Sequence, residues 1–513
     1  FSNELGQLRK QPTHHKYRSL VILSVAFLML LVLAFFSRTM FRSNDSEMAP
    51  KSVAILPFDN PQNDTSLLYL SNGIPENLIN RLSSFQDLKV FSRSATFMLA
   101  DSQKNINSLK RLLDTDMILT GQLVQHQGIS IINCQLVDAS NQSQIWGRKF
   151  EMTGNTISQI EDSIVSSLLN PLQLVSDNSS VEKDRERKVD PRAYEHYLKG
   201  RYLSYGSTPQ ESDNALAHFR EAIQIDPEYA PAYAAISNEK VVQSLFSTAS
   251  KKESVNEARI AIEAAKALDP DLAEIYTSEG ALKFYYDWDW EGAVQSYKTA
   301  LSLDPANATI YIRYSATLAA VGQYEQALEL ADKAVQLDPI SISSLHNLGW
   351  VNLLARNFEK SADAFEKALE LHPNWVWGYI KQAYAYIFLQ QYDRALQNAE
   401  QAQLLFTDGW GSELLQITLI FIYTNCNQNE KADAVTNRFL KYVSENTLED
   451  PWNLSYVYYI NGDYQKALEW EQKAIDEKSL LAYQLNLPLF YHDSFFESPE
   501  HQQIIGQLVS SED

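Results

Sequence analysis

Acidic side chains at alternate positions are the part of this sequence that comes closest to a metal site. Asp287, Asp289 and Glu291 surround two tryptophans, and carboxylate oxygens are the ligands that hard divalent cations prefer. The same arrangement suits the first turn of a helix, where the helix dipole favours acidic residues. We therefore interpret the cluster as the start of a helix and predict no metal there.

Other side chains that could do chemistry are scattered along the chain. The adjacent pair His14 and His15 is typical of a solvated segment, and neither Cys134 nor Cys426 has a His or Cys at metal-ligand spacing. Cys134 stands in an alternating strand pattern that is typical of a buried thiol. The sequence shows no phosphate-binding glycine loop, zinc pair, nucleophile elbow or paired-carboxylate site. It therefore predicts no enzyme activity and no cofactor.

The composition is that of an acidic globular protein. The chain has 513 residues, of which 45% are hydrophobic and 21% are charged, and its formal net charge is -21. This length suits two or three domains. The negative charge argues against a broad nucleic-acid-binding surface, so we expect no nucleic acid to bind within this chain.

A repeat sets the layout of the second half of the chain. Pro305, Pro339 and Pro373 are 34 residues apart, and each follows an Ala-rich amphipathic run. This period predicts pairs of antiparallel helices. The best-preserved unit, residues 342–373, has Leu345, Leu348, Gly349, Phe358, Phe365, Ala368 and Pro373. It resembles the tetratricopeptide repeat, which implies an α-solenoid over residues 191–485 with a cap at 486–513.

The resemblance to this repeat family implies a concave face that is lined by the first helix of each repeat. In some family members a residue on that face grips a peptide carboxylate, and its position holds Arg313, Asn347 and Lys381 here. Ile312 and Ala316 stand where its usual partners would be. Aromatic residues at helical spacing can also be core, and the sequence leaves that alternative open. We predict a partner-binding groove formed by His346, Trp350, Trp377, Lys381, Tyr384 and Phe388.

Residues 51–174 have a mixed pattern that predicts a small α/β domain with the order β-α-β-α-β-β-β-α. Its motifs are residues 52–60 (SVAILPFDN), 71–78 (SNGIPENL), 88–93 (LKVFSR) and 135–139 (QLVDA). They resemble the TolB-amino-terminal-like domain. That family commonly precedes tetratricopeptide repeats in membrane-bound bacterial signalling proteins. A polar, charged linker is expected at residues 175–190.

An apolar run near the start of the chain predicts a transmembrane helix at residues 20–37. The run is bounded by Arg18 and Arg38 and is interrupted only by Ser24, and its length is close to what a bilayer requires. A cleaved signal peptide is the alternative. Basic residues before the run predict that residues 1–19 are cytoplasmic and that the later domains are periplasmic.

The expected fold class is therefore α/β plus all-α, with a single transmembrane helix, a small α/β domain and a repeat solenoid. The resemblances imply the sensor region of a bacterial one-component transcriptional regulator of the ToxR or CadC type, with a winged-helix domain before residue 1. The alternatives are the sensor part of a membrane class III adenylate cyclase and a stand-alone envelope-assembly scaffold. The expected partners are a protein or peptide in the groove, the inner membrane through residues 20–37, and a second copy of the chain.

Overall fold

The structure, a computed structural model, describes residues 51–509 with several gaps. These gaps are residues 86, 103–105, 154–155, 175–188, 206–207, 247–250, 407–411, 446–449 and 480. Residues 1–50 and 510–513 also lie outside the described part. The expected segments at residues 1–19 and 20–37, and most of the linker expected at 175–190, therefore fall outside it.

The first described unit is a small α/β domain built on one five-stranded sheet with the order β2-β1-β3-β4-β5. β1 pairs with β3 in parallel, and β3, β4 and β5 form an antiparallel meander. The tight turn between β3 and β4 has positive φ angles at Gln127 and Gly128, and glycine adopts this conformation without strain. The strands are β1 (Lys51–Ile55), β2 (Leu88–Val90), β3 (Met117–His126), β4 (Ile129–Asp138) and β5 (Gln144–Glu151).

Helices cover this sheet on both faces. Ile74 and Ile164 pack on Ile55 from one side, while Phe91 and Ile118 belong to a second cluster on the other side. The sequence pattern predicts all of these helices except the one that begins at Arg93. The helices are α1 (Leu68–Leu82), α2 (Arg93–Ser102), α3 (Ile106–Leu113) and α4 (Ile157–Leu172).

The rest of the described chain is a succession of helix pairs. Small residues allow each pair to approach closely: a Cβ on Gly349 would lie 2.7 Å from the Phe365 ring of the partner helix. The pairs are α5 (Pro191–Ser204) and α6 (Pro209–Ile225), α7 (Ala230–Phe246) and α8 (Lys251–Leu268), α9 (Ala273–Leu282) and α10 (Trp290–Leu303), α11 (Ala308–Ala320) and α12 (Tyr324–Leu337), α13 (Ile342–Leu354) and α14 (Phe358–Leu371), α15 (Val376–Phe388) and α16 (Tyr392–Leu405), α17 (Ser412–Asn425) and α18 (Asn429–Glu445), and α19 (Pro451–Ile460) and α20 (Tyr464–Asp476).

The chain ends in short elements that do not continue the repeat. Two 3-10 turns, Ala482–Asn486 and Pro488–Phe490, are followed by α21 (Asp493–Phe496) and α22 (Pro499–Val509). Helix α22 packs on α20. Residues after Asp476 therefore turn back onto the repeats instead of adding another pair.

The structure corrects the expected fold class and location. Among the residues that it describes, no helix has both the length and the apolarity to cross a membrane. The helices of the repeats carry charged side chains on their exposed sides, as in Phe358–Leu371. The architecture is a mostly helical repeat solenoid with a small sheet. The single transmembrane helix, the inner-membrane location and the periplasmic domains are not supported, and we do not retain them.

The α/β domain contacts the solenoid at two separate places. The Tyr194 hydroxyl of α5 donates a hydrogen bond to Glu161 of α4 over 2.6 Å. Further along the chain, the Ser94 hydroxyl donates to the Asp338 carboxylate, which follows α12. Ile340 is buried in the cluster on one face of the sheet. The repeats from α5 to α13 are thus tied to one globular domain.

We expect the stability of this interface to depend on pH through Glu161, because burial raises the pKa of this side chain from 4.5 to about 7. The folded protein then holds the proton more tightly than the unfolded chain, so stability should fall as the pH rises from 4.5 to 7. At about pH 8, Glu161→Gln should raise the free energy of unfolding by up to roughly 3 kcal/mol relative to the parent. The gain should shrink near pH 4.5. Urea unfolding at both pH values tests this prediction, and identical pH profiles for parent and variant would refute it.

Candidate functional site

Aromatic side chains from the first helices of successive repeats meet the C-terminal part of the chain. The Trp350 ring stacks on Phe490 with 5.8 Å between ring centroids, and the Tyr384 ring lies 5.8 Å from Phe490 and 5.0 Å from Phe421. Residues 481–491 form the segment that they contact, which we call the C-terminal segment. We call the contacting set the aromatic face; it consists of Phe284, Tyr285, Trp350, Tyr384, Phe421 and Tyr456.

Lys381 places a positive charge against the aromatic face. Its Nζ lies 4.1 Å from the centroid of the Trp350 ring and 5.3 Å from that of Tyr384. Burial lowers the pKa of Lys381 to about 8. Within the part of the chain that the structure describes, no carboxylate is paired with this ammonium group. Its contacts are therefore with ring faces, which attract cations.

Two other predicted groove residues pack between helices. The His346 ring lies 6.1 Å from Phe365 and 5.7 Å from Trp375, centroid to centroid. Burial, together with the charge of Lys381, lowers the pKa of His346 to about 3, so this ring is neutral. Phe388 stacks on Phe358 at 4.9 Å. Both side chains are half-buried, so they pack between helices without being fully enclosed, and their place in the groove stays a prediction.

Trp377 remains half-buried on α15. It precedes Lys381 by one helical turn, and residues four apart lie on the same side of a helix. Asn347, which stands at a position where some repeat proteins grip a carboxylate, is buried and donates to Ser315 Oγ over 3.1 Å. Of the six predicted groove residues, the structure thus brings Trp350, Lys381 and Tyr384 together, and the binding role of the whole set stays a prediction.

A π-helical turn shapes the other end of the aromatic face. Helix α9 continues into Lys283–Asp287 with π geometry and stops at Trp288, whose φ is 57°. This turn carries Phe284 and Tyr285, and their rings lie 5.4 and 6.2 Å from Tyr483. Asp289 is the N-cap of α10 and accepts from the Gly292 backbone at 2.7 Å. The acidic cluster therefore does lie at the start of a helix.

The sequence did not identify Tyr483 and Phe490 as parts of the site, because the repeat pattern ends before them. One signal was available. From Ser479 to Tyr491 the sequence contains no charged residue, although the chain as a whole is 21% charged. An uncharged run of this kind is typical of a segment that lies against other parts of the protein.

A buried pair of side chains, Glu471 and His501, joins the helices that precede and follow the C-terminal segment. Glu471 and His501 have fully buried side chains, and Glu471 Oε2 lies 2.8 Å from His501 Nδ1. The other ring nitrogen lies 3.2 Å from the Leu485 carbonyl oxygen. Burial raises the pKa of the Glu471 carboxyl, and a protonated carboxyl can donate to Nδ1 while the Nε2–H of the ring donates to the Leu485 carbonyl oxygen. The pair thus joins α20, α22 and the C-terminal segment.

Comparison with protein-family models divides the chain in the same way as its fold. Residues 49–167 match the HilA/YgeH-like transcriptional regulator, second domain. Residues 288–348 and 343–375 match tetratricopeptide repeats. The chain therefore has a HilA/YgeH-like regulator domain followed by tetratricopeptide repeats, while the expected TolB-like identity of the first domain is not shown.

Two curated proteins illustrate the range of relatives. A protein named putative adenylate cyclase 3, from Rhizobium meliloti (strain 1021), is 27% identical over 190 residues, which are 37% of this chain and 32% of that protein. The Hsp70-Hsp90 organizing protein of Triticum aestivum is 35% identical over 85 residues, which are 17% of this chain and 15% of that protein. The chain thus spans about a third or less of the length of these relatives.

Two solved structures match part of this chain at low sequence identity. The Pseudomonas aeruginosa pilF structure is 18% identical with a TM-score of 0.33, and it covers 42% of this chain and 99% of its own. YrrB, described as a TPR protein with an unusual peptide-binding site, is 18% identical with a TM-score of 0.28 and covers 36% of this chain and 91% of its own.

Proposed function

We propose that this chain is the protein-interaction part of a bacterial regulatory protein and that the aromatic face binds a protein or peptide partner. The observation that carries the proposal is Lys381, an ammonium group held against Trp350 and Tyr384. Burying a charge costs free energy unless a partner group satisfies it. A bound partner with an acidic or carbonyl oxygen at this position would supply that group.

The aromatic rings around Lys381 suit the same role. Tryptophan and tyrosine in partly desolvated pockets contribute most of the binding energy in many protein interfaces. Here they come from successive first helices, so a single elongated partner segment can touch several repeats. Tetratricopeptide repeats typically bind protein or peptide partners, which agrees with this arrangement.

The relatives support a proposal for the class of regulation. The family of residues 49–167 favours a transcriptional regulator. A cyclase-linked regulator is the second candidate, favoured by the 27% identity to the protein named putative adenylate cyclase 3. In either case we propose that the chain contributes recognition and no catalysis, because neither the aromatic face nor Lys381 forms a set of groups that could carry out a reaction.

Exchanging Lys381 for Met tests the proposal. Met keeps the length of the side chain and removes the half-buried charge, so the variant should be at least as thermally stable as the parent. Recovery of the native partner by the full chain should nevertheless fall about tenfold, the scale of one lost hydrogen bond to a charged group. The matched control is Lys367→Met on the exposed side of α14, which should recover the partner normally. Equal recovery by the Lys381 and Lys367 variants would refute this role of the aromatic face.

A further inference from the structure

We propose that the C-terminal segment is an internal ligand of the aromatic face, and that the external partner is an uncharged peptide with two aromatic side chains that replace Tyr483 and Phe490. This inference rests on the proposed function and deepens it, because it names the chemistry of the partner and the way in which access to the site is regulated.

The Phe490 ring contacts three rings of the aromatic face, as the side chain of a bound ligand would. Its ring lies 5.8 Å from Trp350, 5.8 Å from Tyr384 and 6.3 Å from Phe421, centroid to centroid. These three residues belong to α13, α15 and α17, the first helices of successive repeats. The Tyr456 hydroxyl donates to the Phe490 carbonyl oxygen over 3.3 Å. One aromatic side chain thus fills the space between three repeats.

Tyr483 occupies a second position on the same face. Its ring packs on Phe284 and Tyr285, which the π-helical turn presents. Irregular turns of this type inside helices are frequent at functional sites. Phe490 and Tyr483 therefore contact repeats that are well separated in the sequence, and the C-terminal segment crosses the first helices that lie between them.

The backbone of the C-terminal segment is held mostly by its own local turns. Gln484 N donates to Leu481 O over 2.9 Å, and Leu487 N donates to Gln484 O over 3.1 Å. The segment forms no strand or long helix with the repeats. Its attachment to the aromatic face consists mainly of side-chain packing, which another peptide with similar side chains can reproduce.

The two ends of the C-terminal segment are fixed independently of the aromatic face. Helix α20 precedes it, and α22 follows it and is held by the Glu471–His501 pair. A tethered ligand has a high effective concentration at its site. An external peptide can bind only to those molecules in which the C-terminal segment has left the aromatic face. The smaller this fraction of molecules is, the weaker the apparent affinity for the peptide becomes.

A labelled synthetic peptide of residues 479–491, which contains no charged side chain, tests the inference by fluorescence anisotropy. It is added to the full chain and to the full-length double variant Tyr483→Ala/Phe490→Ala, in which the internal ligand lacks both rings. We expect the variant to bind the peptide at least about tenfold more tightly than the parent does, because its site is open. A peptide in which both aromatic residues are Ser should not bind. Phe496→Ala, which removes a ring next to Tyr491 and His501, is the matched control and should behave like the parent.

Equal affinity of the peptide for parent and double variant would overturn the inference, as would equal binding of the Ser-substituted peptide. If the double variant does not fold, hydrogen exchange on the parent decides the question. Amides of residues 481–491 that exchange faster than those of α19 and α20 support a displaceable ligand, whereas equally slow exchange refutes it.

The two proposals can fail separately. Lys381-dependent partner recovery without peptide binding refutes only this inference. Peptide binding without Lys381-dependent recovery refutes only the proposed function.

Discussion

Replacing His501 with Ala should lower the free energy of unfolding by about 3 to 5 kcal/mol, which is the cost of breaking a buried pair by removing one partner. The reason is that Glu471, whose side chain is fully buried, would lose its only side-chain hydrogen-bond partner in the described part of the chain. The Leu485 carbonyl oxygen would also lose a donor. Denaturant unfolding of the full chain measures the loss.

A double variant separates the hydrogen-bonded pair from simple packing. In Glu471→Leu/His501→Phe both polar groups are replaced by apolar side chains of similar size, so no unpaired polar group remains buried. This variant should be clearly more stable than His501→Ala, because such replacements of a buried pair are often neutral or stabilising. If the double variant is as unstable as the single one, the Glu471–His501 pair is not what holds α22 in place.

The second large effect concerns Trp377 and Ala368. Trp377→Ala should cost about 2 kcal/mol or more in partner binding, the scale of an aromatic hot spot. It should change thermal stability little, because a half-buried residue gives up few internal contacts. Ala368→Leu should do the reverse, since Ala368 is fully buried between the helices of its repeat. There, overpacking should cost roughly 1 to 3 kcal/mol of stability.

Thermal unfolding of both variants beside the parent distinguishes surface from core. The expected result is a clear drop in the melting temperature for Ala368→Leu and a much smaller one for Trp377→Ala. A loss of stability in Trp377→Ala as large as that in Ala368→Leu would mean that Trp377 is core.

Local patterns in the sequence predicted the elements of this fold well. The spacing of Gly349, Phe365 and Ala368 reflects how the two helices of one repeat pack. All residues that determine this packing lie within about 34 residues of sequence. The strands of the α/β domain were likewise visible as short buried or alternating runs. Family resemblance placed Trp350, Lys381 and Tyr384 on one face, where the structure brings them together.

Contacts between distant parts of the chain were not predictable in this way. Nothing near Phe490 in the sequence indicates that it lies on Trp350, and Ser94 gives no local signal of its bond to Asp338. Such contacts depend on how the whole solenoid curves, which no single repeat encodes. The apolar run at residues 20–37 lies outside the described residues, among which no helix is suited to crossing a membrane.

The most direct test of the account is site-specific photo-cross-linking of the full chain in its native cells. A benzophenone side chain at position 377 would lie beside the aromatic face, and the same probe at position 404 would replace Leu404, which is 78% exposed on α16. We predict a protein adduct from the probe at 377 that is lost in the Lys381→Met background and does not form from 404. An adduct that forms only from position 404, or one at 377 that is indifferent to Lys381, would contradict the assignment of the aromatic face as the partner site.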